Sequence, residues 1–128
     1  MLLLDTHAWI WWENADPKLS RAAARALTAA KEVGVAAVSC WELAMLVARG
    51  RLRLDRDATR WMTESLARPN VVLMPLTPEI AVRAAAFGDA LHGDPMDRIL
   101  AATAIQHGLQ LVTKDERVRG LPGLRCLW

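Results

Sequence analysis

Five short runs, Leu2 to Leu4, Val33 to Val38, Val71 to Leu76, Gln110 to Thr113 and Leu124 to Leu127, are almost continuously apolar and recur along the chain. A strand that is apolar at successive rather than alternate positions is covered on both faces, the environment of a parallel sheet between helix layers. The stretches 7–12, 18–30, 40–49, 57–67, 78–91 and 95–107 are rich in Ala, Leu, Met and Arg and are expected to be helices. Asp16-Pro17, Thr77-Pro78 and Asp94-Pro95 each set a capping oxygen before a proline at the first helical position, and Gly50, Gly88 and Gly108 stand where helices should stop. The alternation predicts an α/β fold: a three-layer α/β/α sandwich with right-handed crossovers around a central parallel β-sheet of four to five strands.

A chain of 128 residues makes one domain, 1–128, and its 53% hydrophobic and 23% charged residues exclude a disordered polymer. No uninterrupted apolar run approaches the roughly 18 residues of a membrane span. Leu2 to Leu4 lack a basic lead and are too short for a signal peptide, and Cys40 and Cys126 have no metal-ligand or redox spacing. Both features fit a cytoplasmic protein with reduced, buried thiols. Thirteen of the sixteen bases are arginines, whose planar fork matches phosphate, although GC-rich codon usage produces the same bias.

The functional crevice of an open parallel sheet lies beyond the carboxyl ends of its strands. Asp5 directly follows the first apolar run, Glu42 falls in the first helical turn after the second, and Asp115 comes two residues after Thr113. Asp97 lies in the first turn of the helix opening at Pro95. Four acids from separated parts of the chain are thus expected on one rim, where they stay ionised together only beside a cation. Hard divalent ions such as Mg²⁺ meet that need and serve phosphodiester hydrolysis, with pairs about 3.5–4 Å apart recurring in nucleases. No serine lies in a nucleophile elbow and Cys40 has no evident histidine partner.

Each acid also has a structural use. Ser39-Cys40-Trp41-Glu42 fits a capping box, Asp94 is explained as an N-cap, Asp97 would favour the helix dipole, and Asp115 suits a turn. Asp5, after three leucines, is the hardest to explain structurally, and the coincidence of all four outweighs the separate explanations.

Leu3-Leu4-Asp5-Thr6-His7, Val38-Ser39-Cys40-Trp41-Glu42-Leu43, Asp94-Pro95-Met96-Asp97-Arg98-Ile99-Leu100-Ala101-Ala102-Thr103-Ala104 and Leu111-Val112-Thr113-Lys114-Asp115 together resemble the PIN domain, specifically the VapC-type toxins of toxin-antitoxin pairs. The resemblance implies a metal-dependent endoribonuclease whose acidic quartet, here Asp5, Glu42, Asp97 and Asp115, holds Mg²⁺ or Mn²⁺. It assigns hydroxyls near the site to Thr6 and Thr113, which would support carboxylates or waters. It further implies a homodimer, an RNA substrate and a VapB-type antitoxin partner, with DNA met only through that antitoxin. Trp9, Trp11 and Trp12 give the first predicted helix an aromatic surface suited to a dimer or antitoxin contact, unless one or two face the core. His7 could touch the scissile phosphate, yet it, His92 and His107 are read as non-catalytic. The Trp-rich segment after His7 departs from the small or aliphatic residues common in the wider family.

Two other classes compete. A metal-dependent phosphatase or receiver domain wants an adjacent acidic pair near the first strand, which Asp5-Thr6-His7 does not supply. A non-catalytic PIN-like module would bind RNA or protein through Arg49-Gly50-Arg51-Leu52-Arg53, but four intact acids argue against a dead site. The overall charge of +2 conceals a division: with the quartet set aside, ten acids face sixteen bases, leaving +6 for a surface that a nucleic-acid backbone can approach.

Overall fold

The computed structural model describes residues 1–128. Strands β1 (Leu2–Leu4), β2 (Val33–Ala36), β3 (Val71–Met74), β4 (Gln110–Val112) and β5 (Arg125–Leu127) form one sheet in the order β3-β2-β1-β4-β5, with every pairing parallel. The connections carry helices α1 (Thr6–Glu13), α2 (Arg21–Ala29), α3 (Ala37–Ala48), α4 (Ala58–Leu66), α5 (Pro78–Ala86), α6 (Pro95–His107) and α7 (Glu116–Arg119). The expected parallel α/β sandwich is present, at the five-strand end of its range.

Successive strand residues point to opposite faces, so the apolar runs build a core on each side. Leu3, Ala36, Met74 and Leu111 pack with Leu100, Ala101 and Ala104 of α6 and Val118 of α7. Leu4, Val33, Val35 and Val112 pack with Ala8, Trp9 and Ile10 of α1, Leu27 of α2, Leu43 of α3 and Trp61 of α4. Helix α5 lies against α6 through Ile80, Ala84 and Ala102. Gly34 of β2 marks a close approach: a Cβ there would meet Met74 Sδ at 2.9 Å.

Several boundaries differ from expectation. Helix α3 begins at Ala37, so Val38 is helical and β2 stops at Ala36. Strand β3 ends at Met74, just before Pro75, which has no N–H for the ladder. The predicted helix 78–91 breaks into α5 and a 3₁₀ turn, Gly88–Ala90, where Gly88 adopts φ +55°. Trp9 is fully buried, packs edge-on against Trp61 at 5.2 Å and donates from Nε1 to Ser65 Oγ at 2.9 Å, which makes it core and not interface. Trp12 is half-buried under the Arg68 guanidinium, 4.1 Å from its ring centroid. Cys40 and Cys126 are free and half-buried, and no helix is long and apolar enough to cross a membrane.

The strand order fixes where function can sit. From β1 the chain winds outward to β2 and β3, then returns to the other side of β1 for β4 and β5. The order reverses at the β1/β4 pair, and the helices leaving those strands diverge to open a crevice above their carboxyl ends.

Candidate active site

Asp5 and Asp115 flank that crevice. Asp5 is the N-cap of α1, accepting the Ala8 N–H at 2.7 Å, while its own N–H donates to Val112 O at 3.0 Å across the switch point. Burial pushes its carboxyl above the usual range, opposed by hydrogen bonding from Thr113 and the Ala8 amide. Asp115 is the N-cap of α7, accepting the Arg117 N–H at 2.9 Å, and its own N–H donates to Thr113 Oγ1 at 3.1 Å. Thr113, expected as a supporting hydroxyl, thus serves both acids.

Asp97 is the third residue of α6, behind the true N-cap Asp94, which accepts the Met96 N–H at 2.9 Å as expected. Glu42 is the sixth residue of α3, in the second turn instead of the predicted first. The capping-box alternative fails, because the N-cap of α3 is Ala36, with no side-chain bond. Ser39 is buried and accepts from Thr6 Oγ1 at 3.0 Å. Thr6 therefore ties α1 to α3, the helix that carries Glu42.

All four acids line one cavity of about 420 Å³, together with Asp94, Thr6, His7, Trp11, Leu100, Lys114 and Arg117. They are not equally close. Carboxylate oxygens of Asp97 and Asp115 and a ring nitrogen of His92 lie within 4.8 Å of one another, whereas Asp5 and Glu42 share the cavity outside that cluster. His92, read from the sequence as a loop residue away from the chemistry, sits with Nε2 3.1 Å from Asp97 Oδ2. Its Nδ1 accepts the Asp94 N–H at 3.4 Å, which leaves the proton of the neutral ring on Nε2. Arg98 fixes the loop that carries it, donating to the carbonyls of Gly88 at 2.6 Å, Leu91 at 2.7 Å and His92 at 3.0 Å. The only sequence signal for His92 was a histidine two residues before an Asp-Pro cap.

Charge divides the cluster. Burial, then the neighbouring Asp94 and Asp115, push Asp97 up to about 7, while the Arg117 guanidinium, bonded to both Asp115 oxygens, holds that carboxyl at about 2. Arg117 Nη2 stays 3.7 Å from Asp97 Oδ2, beyond a hydrogen bond. Asp97 Oδ2 and His92 Nε2 are both buried and, though close, are not aligned to bond each other, so neither has a hydrogen-bond partner. Hard oxygen donors around an orphaned buried carboxylate oxygen fit a divalent cation, which would supply the missing partner and the charge that holds the acids ionised.

The sequence profile of the PIN domain matches residues 2–124. The chain belongs to the PIN-domain family. Within it, the chain is 42% identical over 118 residues to Ribonuclease VapC22 of Mycobacterium tuberculosis, covering 92% of this chain and 89% of the relative. That likeness places this PIN domain among the VapC-type ribonuclease toxins. Two solved structures share its fold: VapBC2 from Rickettsia felis bound to a promoter DNA fragment (TM-score 0.74, 14% identity, 98% of this chain and 96% of that one) and VapC20 of M. tuberculosis, a sarcin-ricin-loop-cleaving toxin (TM-score 0.69, 18% identity, 98% and 99%). In this PIN domain the four acids share one cavity above the β1/β4 switch point.

Proposed function

We propose that residues 1–128 act as a single catalytic unit that hydrolyses RNA, with Asp5, Glu42, Asp97 and Asp115 as the catalytic carboxylates and ligands for Mg²⁺ or Mn²⁺. The observation that carries this reading is the convergence of the four acids in one cavity, with Asp97 Oδ2 buried and unpartnered. A bound cation supplies positive charge for a phosphoryl oxygen and lowers the pKa of a water toward neutrality.

The protein's own groups prepare the site. The Ala8 and Arg117 amides fix the orientation of Asp5 and Asp115. The Thr6–Ser39 bond sets α3, and with it Glu42, against α1. Burial and the neighbouring Asp94 and Asp115 hold Asp97 at about 7, so an added positive charge would favour its ionised form.

A VapB-type antitoxin, a homodimeric state and a cytoplasmic setting belong to the same proposal; support for the antitoxin comes from the resemblance to toxins of such pairs and the shared fold with the toxin of a VapBC2 structure. The binding-only alternative rested on Arg49, Arg51 and Arg53, which are exposed and lie outside the acidic cavity. The test is cleavage of total RNA by the purified protein. Cleavage should require Mg²⁺ or Mn²⁺, stop with chelator and be lost in Asp97→Asn; cleavage that persists through both changes would overturn the assignment.

A further inference from the structure

The acidic cavity has a second wall that the carboxylate chemistry does not use. His7 and Trp11 are four residues apart on α1 and therefore share one face, their ring centroids 5.7 Å apart. Trp11 is half-buried and braced from behind by Trp128, edge-on at 5.8 Å, while Lys114 places its Nζ 6.0 Å from the Trp11 centroid. His7, Trp11 and Lys114 all line the same cavity as the four acids. The wall is thus an aromatic side chain held between His7 and Trp128, with an exposed lysine beside it, on the cavity that the four acids line.

We propose that Trp11, with His7 and Lys114, forms the subsite for one unpaired RNA base next to the scissile phosphate. This rests on the ribonuclease reading above and adds how the substrate is gripped. An unstacked base offers a π-face to an aromatic plate whatever its identity, and its flanking phosphates suit Lys114. A paired base is already stacked within its helix and cannot enter. The subsite therefore selects single-stranded or looped RNA with little choice of base.

The test uses Asp97→Asn protein, which should not cleave, with fluorescein-labelled single-stranded decamers of U, A and C and a duplex of the same length, read by fluorescence anisotropy in Mg²⁺. Adding Trp11→Leu should weaken binding of each single strand by ~10-fold or more, the usual loss on removing one base–aromatic stack, and Trp11→Phe should restore most of it. His7→Ala, at an exposed position, should weaken binding by a few-fold without altering the thermal midpoint. In the cleaving protein Trp11→Leu should raise KM with little change in kcat. Equal affinity of Trp11→Leu and its parent for all three single strands, with both folded by circular dichroism, overturns the subsite and leaves the wall as a protein contact. Tighter binding of the duplex than of the single strands overturns it too. Failure of the underlying reading is seen separately, as wild-type cleavage that survives chelator and Asp97→Asn.

Discussion

Asp97 and Asp115 reach the same few ångströms of space from the N-terminal ends of α6 and α7, yet their environments push them apart. Asp115 caps a short surface helix and is neutralised by Arg117, which holds it at about 2. Asp97, on the first turn of a long buried helix with two acids and no bonded base beside it, is pushed up to about 7. Two carboxylates at such different settings do not substitute for each other. Asp115 is a standing charge, whereas Asp97 is only partly ionised at neutral pH.

The largest expected effect follows from that division. Asp97→Asn keeps the shape and removes the one buried oxygen left without a partner, so RNA cleavage should fall by about 10³-fold, the several kcal/mol that a mispositioned cation forfeits. Titration of Mg²⁺ against thermal midpoint should show weaker stabilisation of the variant than of the wild type. Equal stabilisation of both would move the cation away from Asp97. The next effect concerns the histidine beside it: His92→Ala should weaken Mn²⁺ binding, read by calorimetry, by about 10-fold, as loss of a group that orients a ligand does. An unchanged Mn²⁺ affinity would reduce His92 to a loop residue after all.

Three of the four acids were placed by signals of period or punctuation: Asp5 after three leucines, Asp115 after an apolar run, Asp97 behind a Pro-capped start. The layers were legible for the same reason, since both-face burial leaves apolar residues at successive strand positions. His92 and Arg98 were not, because what joins them is a loop folded back by side-chain bonds to backbone carbonyls, a pattern with no period. The position of Glu42 was misjudged because Ser39 looks like a cap locally, whereas its hydroxyl is spent on Thr6, 33 residues away in sequence. Trp9 was left open between interface and core because helix periodicity does not reveal that Trp61 of α4 covers it.

Stability against pH separates the two acids by sign. The folded value of Asp97, about 7, lies above its ordinary 3.8, so between these the native state binds more protons than the unfolded one and stability falls as pH rises toward 7. Above about 7 the cost is complete, and metal-free Asp97→Asn should be more stable than wild type by about 1–2 kcal/mol at pH 8, and indistinguishable at pH 4, by urea unfolding. Asp115 behaves in the opposite sense: its contribution is present above 3.8 and is lost as pH falls through about 2. Asp115→Asn should therefore cost stability at pH 7, though under about 1 kcal/mol, because the Arg117 side chain is 64% exposed and solvent screens the pair. A stabilising Asp115→Asn would erase the contrast.

The smallest effect tests whether Arg117 serves Asp115 or competes for it. Its guanidinium occupies both oxygens that an incoming cation would need, at 2.7 to 3.2 Å, from an exposed position where such a pair is held weakly. Arg117→Gln should free Asp115 and lower the Mg²⁺ concentration for half-maximal cleavage by about two- to fivefold, the span of an exposed ion pair. If the variant instead needs more Mg²⁺, Arg117 orients Asp115 for the cation and the two acids are less different than their charges suggest. A raised KM at unchanged Mg²⁺ requirement would assign the guanidinium to the RNA backbone, where an arginine freed from its carboxylate pairs bidentately with phosphate.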